Sequence, residues 1–270
     1  MDISMLIDCH THLDCYEDSE IDGVIERANR IGVRAIISAG TTLASSRRII
    51  ELSQTRKELF AGVGIHPMDL TGNIDELTYY KLDRLVRSSE KVLVISEIGL
   101  DFNNSFPDRS IQYQAFREQI RLAVSTNLPI VFHARQSSNE VLRVLKEEKA
   151  YEVGGVMHYF QGDKKTARKA IDLGFYISIA KPILRLPDLQ NVVSDIPIES
   201  IVLETDSAPQ PFKKKRENWT EPKDLGLIVN KVAKLQSRTI EETKHQILQN
   251  VKRLLGSKWD VIERYTKDIV

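Results

Sequence analysis

The 270-residue sequence is poor in cysteine and lacks long apolar runs. Its two cysteines, Cys9 and Cys15, are too few for a disulfide framework and are typical of a reducing compartment. No uninterrupted apolar run of about 18 residues occurs, which excludes an ordinary membrane-spanning helix. The first residues carry no basic start followed by an apolar segment, so we expect no secretory signal. These absences predict a soluble, cytoplasmic protein.

Net charge is absent as well, because 38 Lys and Arg residues balance 38 Asp and Glu residues. Proteins that coat nucleic acid through bulk electrostatics carry an excess of positive charge, so that class is disfavoured. A nuclease that holds a strand end in a local pocket needs no such excess. No linker rich in Pro, Gly or Ser divides the chain, and we predict a single domain over residues 1–270. Nothing indicates a protein partner, and a monomer is the default expectation.

What the sequence does contain is a series of short apolar runs, several of them rich in Val and Ile. Runs that are apolar nearly throughout are typical of strands buried on both faces, as in a parallel sheet. Stretches of helical length and period separate them. In residues 21–32, for example, Ile21, Val24, Ile25 and Ala28 recur at helical spacing, and Gly32 follows where a helix would stop. The predicted strands are 5–9, 33–39, 59–65, 92–98, 129–133, 155–159, 175–179 and 201–205.

Eight strands that alternate with helices predict an α/β fold, a (β/α)8 TIM barrel, for which about 250 residues is typical. An open doubly wound sheet is the alternative, and it would place a glycine-rich phosphate loop after the first strand. That position holds the segment CHTHLD, which contains no glycine, so the barrel is favoured. Two further helical patterns, 222–235 and Ile240–Leu255, follow the last predicted strand.

Histidines lie at the ends of several predicted strands. His10 and His12 are two residues apart, so their side chains share one face of a strand. Taken alone, such a pair is either a metal-binding pair or an inert hydrogen-bonded one. His133 and His158 close the apolar segments PIVFH and GGVMH. In a barrel the carboxyl ends of all strands form one mouth, where active sites are built, so these histidines are expected to converge.

Two carboxylates also lie in or at the end of a predicted strand, so they are expected at the same mouth. Glu97 lies inside an apolar strand, where a buried carboxylate requires a cation or a strong hydrogen-bond partner. Asp206 closes the segment IVLETD, and its alternative role is a helix N-cap. Six ligands are too many for one tetrahedral zinc. They suit two divalent cations about 3.5–4 Å apart that share a carboxylate, for which Glu97 is the natural bridge.

Other polar residues near the predicted mouth have two readings each. His66 ends the third strand and is either a substrate-binding or a structural residue. Arg135 either holds a phosphate or forms a salt bridge at the rim. The run Lys213–Arg216 is either a DNA-attracting loop or solvated surface, and Trp219 either stacks on a base or covers the rim. His245 is expected to be a surface residue.

The order and spacing of these motifs resemble the TatD family of metal-dependent deoxyribonucleases, within the amidohydrolase-like barrels, over nearly the whole chain. The resemblance implies a TIM barrel with a two-metal site that hydrolyses DNA. It assigns His10, His12 and Asp206 to one metal and His133 and His158 to the other, with Glu97 bridging. The matching segments are IDCHTHLD, GVGIHP, SEIGLD, PIVFHAR, HYFQG, GFYISIA, LETDSAP, RENWTEP and QNVKRLL.

Some positions depart from the family pattern without removing a ligand. Ser96 stands where glycine is usual before the glutamate, and Gln136 stands where an acidic residue is frequent. Tyr159 and Gln161 alter the usual HCFSG-like run, and SAPQP replaces the common SPYL or APYL. All of these lie beside the ligands, so they bear on substrate choice rather than on hydrolysis.

The expected activity is phosphodiester hydrolysis in a DNase, with Asp206 as general base and His66 and Arg135 as substrate-binding residues. The alternative is an amidohydrolase-like enzyme that cleaves an amide, a lactone or a small phosphoester with the same metals. A scaffold that has lost its metals is the third reading, which the retention of all six ligands disfavours. Histidine with carboxylate suits zinc, manganese or nickel, and magnesium suits the site when phosphate completes the coordination.

Overall fold

The computed structural model describes residues 5–103 and 105–268. Eight parallel strands lie in one sheet in chain order, each paired with its neighbour along the sequence. The sheet closes where the Asp206 amide donates to the His10 carbonyl (3.0 Å) and the His12 amide donates to the Ser207 carbonyl (2.7 Å). The predicted (β/α)8 barrel is therefore confirmed. The strands are β1 Leu6–Thr11, β2 Val33–Ala39, β3 Leu59–Val63, β4 Val92–Asp101, β5 Ile130–Arg135, β6 Gly155–Met157, β7 Tyr176–Ile179 and β8 Ile201–Leu203.

Helices join consecutive strands and continue after the last one. Asp75, Thr42 and Thr239 begin three of them by accepting a hydrogen bond from a backbone amide of the first turn, which satisfies a donor that the helix leaves free. The pattern predicted at 222–235 becomes a short 3-10 turn followed by a helix. The helices are α1 Asp18–Asn29, α2 Leu43–Thr55, α3 Glu76–Arg87, α4 Arg109–Thr126, α5 Ser138–Glu147, α6 Lys164–Asp172, α7 Pro187–Val193, α8 Leu225–Leu235, α9 Ile240–Leu255 and α10 Trp259–Thr266. Among the described residues, no helix is long and apolar enough to cross a membrane.

Two groups of buried apolar side chains hold the fold together. The larger packs the helices against the outside of the strands. The smaller unites Ile7, Phe60, Val131 and Val202 with residues of α9 and α10 such as Ile262. Strands from opposite sides of a barrel can share a cluster only in its interior. This group therefore fills the interior near the amino-terminal ends of the strands.

The helix α10 covers the amino-terminal end of the strands. Lys91, which directly precedes β4, places its ammonium 4.2 Å from the ring centroid of Tyr265 and donates to the carbonyls of Ser53, Arg56 and Leu59. With that end closed, the opposite end, where the strands' carboxyl termini meet, is the face that remains available for a site.

Candidate metal centre

The structure brings together all six residues that the sequence predicted as metal ligands. Each lies on a strand or within a few residues of its carboxyl end, so the closed sheet directs them to one place. The positions are His10 in β1, His12 just after it, Glu97 in β4, His133 in β5, His158 just after β6 and Asp206 after β8.

Glu97 lies at the centre, and its two carboxylate oxygens face different partners. Oε2 is 3.3 Å from His10 Nε2 and 3.4 Å from His12 Nε2. Oε1 is 2.8 Å from His158 Nε2 and 3.0 Å from His133 Nδ1. The carboxylate therefore divides the histidines into two pairs.

Asp206 belongs to the first pair. Its Oδ1 lies 3.3 Å from His12 Nε2 and 3.7 Å from His10 Nε2. Its side chain is 28% exposed, whereas that of Glu97 is 4% exposed, so Asp206 is the more open of the two carboxylates. The Asp206 backbone is left-handed, with φ 52°, a conformation that Asp and Asn tolerate better than most residues.

The spacing of the imidazole nitrogens fits divalent cations. His10 Nε2 and His12 Nε2 are 3.2 Å apart, and His133 Nδ1 and His158 Nε2 are 3.4 Å apart. Two nitrogens that each lie about 2.0–2.1 Å from one tetrahedral zinc are separated by roughly 3.3 Å. Among the described residues, three overlapping groups have ligand atoms close enough to hold an ion. They are His10 with His12 and Glu97, His10 with His158 and Asp206, and His133 with Glu97 and His66.

The charge states of the carboxylates suit the same role. Burial acts to raise the pKa of Glu97, but the charge of His158 and hydrogen bonds from His10 and His12 hold that pKa well below its usual range. Burial also opposes ionisation of Asp206, yet the hydrogen bond and charge of His12 lower the pKa of Asp206 to about 2. Both side chains are therefore anionic at neutral pH, as metal ligands must be.

His66 also reaches the centre, with its Nε2 3.4 Å from Glu97 Oε1. Its Nδ1 accepts a hydrogen bond from the Met68 amide (3.1 Å), so the ring proton is on Nε2. Burial lowers the pKa of His66 to about 4, and the ring is neutral. A neutral Nε2–H is a hydrogen-bond donor rather than a metal ligand.

A cavity of about 750 Å³ opens above these side chains. Arg135 lines it and is exposed, and among the ion pairs of the described residues it has no carboxylate partner. The other lining residues include Tyr159, Phe160 and Gln161 after β6, and Gln210 and Phe212 after β8. The positions that depart from the family pattern thus form much of the cavity wall.

Two residues of the loop after β8, Arg216 and Trp219, pack against the barrel. Arg216 pairs with Glu20 (2.9 Å) and Glu221 (2.6 Å) and lies 4.2 Å from the ring centroid of Trp219, which itself packs on the main apolar cluster. Arg216 and Trp219 therefore fix the loop to the barrel. Lys214 and Lys215 remain exposed.

Two buried carboxylates beside the histidines were missed by the sequence analysis. Asp101 Oδ2 is 3.0 Å from His133 Nε2, and Glu204 Oε1 is 3.4 Å from His158 Nδ1. Both are acidic residues in or beside an apolar strand, the signal that identified Glu97. The same reasoning applied to every such residue would have found them.

Comparison with known proteins is consistent with this geometry. The family model described as TatD related DNase matches residues 7–256. A relative from Bacillus subtilis, the uncharacterized metal-dependent hydrolase YabD, is 35% identical over 93% of this chain and 98% of its own. The human deoxyribonuclease TATDN3 is 29% identical over 92% of this chain and 94% of its own. The crystal structure of YJJV, a TatD homolog from Escherichia coli, superimposes with a TM-score of 0.85 at 26% identity, covering 94% of this chain and 98% of that one.

Proposed function

The chain belongs to the TatD-related DNase family of metal-dependent hydrolases, and from that premise we propose that it hydrolyses phosphodiester bonds of DNA. The observation that carries the proposal is the central carboxylate of Glu97, whose two oxygens face two separate histidine pairs. His10, His12 and Asp206 would hold one divalent cation, and His133 and His158 would hold the other, with Glu97 shared between them.

Two divalent cations bound there would supply a water molecule of lowered pKa and neutralise charge on the phosphate. The chain's own groups account for the remaining requirements. Asp206 borders the cavity as an anion and is placed to accept the proton of the attacking water. The Nε2–H of His66 donates toward a phosphate oxygen that enters from the cavity.

Phosphate, rather than a neutral carbonyl, is favoured by Arg135. Its guanidinium lines the cavity without a carboxylate partner in the described structure, and a guanidinium fork matches two phosphate oxygens. The name of the human relative, a deoxyribonuclease, supports DNA as the polymer.

The test of the proposal is a nuclease assay across a panel of metals. A single-stranded DNA oligomer with a labelled end is expected to be shortened in the presence of Mg²⁺ or Mn²⁺ and to stay intact with a chelator. A p-nitrophenyl ester and a lactone serve as comparison substrates. Intact DNA together with rapid turnover of either comparison substrate would replace the proposed substrate class with the alternative one.

Replacement of Arg135 tests the phosphate contact. Arg135→Gln is expected to raise KM for DNA about 10- to 100-fold, the value of one charge-assisted contact of roughly 1.5–3 kcal/mol, while kcat falls less. Steady-state kinetics on a short oligomer measure the change. Arg238→Gln is the matched control, because Arg238 is exposed between α8 and α9, at the opposite end of the barrel. An unchanged KM in Arg135→Gln would show that Arg135 does not contact the phosphate.

A further inference from the structure

Glu204 is the least expected charge in the barrel. It is fully buried, with no exposed surface. Its Oε1 accepts a hydrogen bond from the Tyr159 amide (2.6 Å) and lies at ion-pair distance, 3.4 Å, from His158 Nδ1. Glu204 Oε2 and His158 Nδ1 are both buried without a hydrogen-bond partner in the described structure. Among the described residues, Glu204 forms an ion pair only with His158.

Stability alone does not explain such a residue. A buried carboxylate costs free energy unless lysine, arginine or several donors compensate it, and an unpaired oxygen adds to the cost. Glutamine or leucine would fill the same volume without that penalty. The value of Glu204 must therefore lie in what it does to its two neighbours, His158 and Tyr159.

We propose that Glu204 is a positioning residue for one half of the metal centre. A carboxylate 3.4 Å from Nδ1 favours the His158 tautomer that is protonated there, which leaves Nε2 with its lone pair directed at the centre, 2.8 Å from Glu97 Oε1. The inference rests on the proposed metal centre but not on the identity of the substrate.

The same carboxylate also fixes the chain where it leaves β6. Tyr159 has a left-handed backbone, with φ 45°, which is unfavourable for an aromatic residue and requires support. The bond from its amide to Glu204 supplies that support. Because Tyr159 lines the cavity, Glu204 links the orientation of a ligand to the shape of the wall beside it.

In the described structure, only the pair His133 and His158 has a further carboxylate, besides Glu97, at ion-pair distance from each ring. Asp101 Oδ2 lies 3.0 Å from His133 Nε2, just as Glu204 Oε1 lies 3.4 Å from His158 Nδ1. By contrast, the ion pairs of His10 and His12 in the described structure are with Glu97 and Asp206 alone. Loss of Glu204 is therefore expected to weaken one cation and spare the other.

Zinc binding by Glu204→Gln tests the proposal. Glutamine keeps the volume and the carbonyl oxygen that accepts from Tyr159, but its neutral amide is a weak acceptor for His158. Titration of the metal-free protein with Zn²⁺ against a chelating dye is expected to show one site with wild-type affinity and one weakened about 10- to 100-fold. Glu199→Gln is the control, since Glu199 is exposed just before β8, at the other end of the barrel.

Thermal unfolding separates positioning from a structural role. Metal-free Glu204→Gln is expected to melt within about 3 °C of the metal-free wild type, yet to gain less from added Zn²⁺. A merely structural role would lower the metal-free melting temperature and leave the gain unchanged, which would overturn the proposal. Two unaltered Zn²⁺ affinities in the variant would overturn it as well. If the wild type itself bound no Zn²⁺, Mn²⁺ or Mg²⁺, the proposed function would fail and this inference with it.

Discussion

Glu97→Gln is expected to lower kcat/KM for DNA by at least about 10³-fold, equivalent to roughly 4 kcal/mol of transition-state stabilisation. The side chain keeps its shape but offers one oxygen in place of two, and the amide nitrogen that replaces the other has no lone pair for a metal. One histidine pair therefore loses its carboxylate ligand, and the centre loses a negative charge that both pairs share. Elemental analysis of the purified protein should find fewer divalent ions per chain than in the wild type.

The control for this change is Glu152→Gln, because Glu152 is exposed in the turn before β6, at the opposite end of the barrel. It should leave the activity, the metal content and the melting temperature unaltered. Wild-type turnover in Glu97→Gln would show that the central carboxylate is not needed for catalysis, and the two-metal proposal would have to be abandoned.

The six residues of the candidate metal centre could be found from the sequence because a parallel barrel imposes a simple rule. The end of each apolar run predicts the end of a strand, and the carboxyl ends of all strands meet at one rim. A histidine or carboxylate that breaks an apolar run at its end, as His133 and Asp206 do, is therefore directed to the same place as His10. In the structure Asp206 Oδ1 lies 3.7 Å from His10 Nε2, and His133 Nδ1 lies 3.0 Å from Glu97 Oε1.

What the sequence could not show is how side chains pair across the barrel. That Glu97 Oε1 faces His158 while Oε2 faces His12 depends on the relative stagger of β1, β4 and β6. Arg216 could not be separated from the neighbouring Lys214, because its partner Glu20 lies far away in sequence, on α1. Local patterns carry no information on such contacts. His245, which depends only on its position on an amphipathic helix, is exposed as expected.

Asp206→Asn is the second large effect, and it tests proton acceptance. A positioned general base contributes about 10²- to 10⁴-fold to the rate, so kcat is expected to fall by that factor. Asparagine tolerates the left-handed backbone at this position and leaves intact the amide that donates to the His10 carbonyl (3.0 Å), so the barrel seam persists. Alanine would confound the test, because it would strain the backbone at φ 52°.

Metal content distinguishes the two contributions of Asp206. If Asp206→Asn retains the wild-type number of bound ions at saturating Mn²⁺, the lost activity reports proton acceptance, since the amide oxygen still serves as a ligand but cannot take up a proton at neutral pH. If one ion is lost, coordination is the larger contribution. Asp172→Asn, at the exposed end of α6 before β7, controls for the loss of a surface charge. A rate within about threefold of wild type would place the base elsewhere. His66 would be a poor substitute, because its Nε2 already carries a proton and a second proton could bind only at Nδ1, where it would break the hydrogen bond from the Met68 amide.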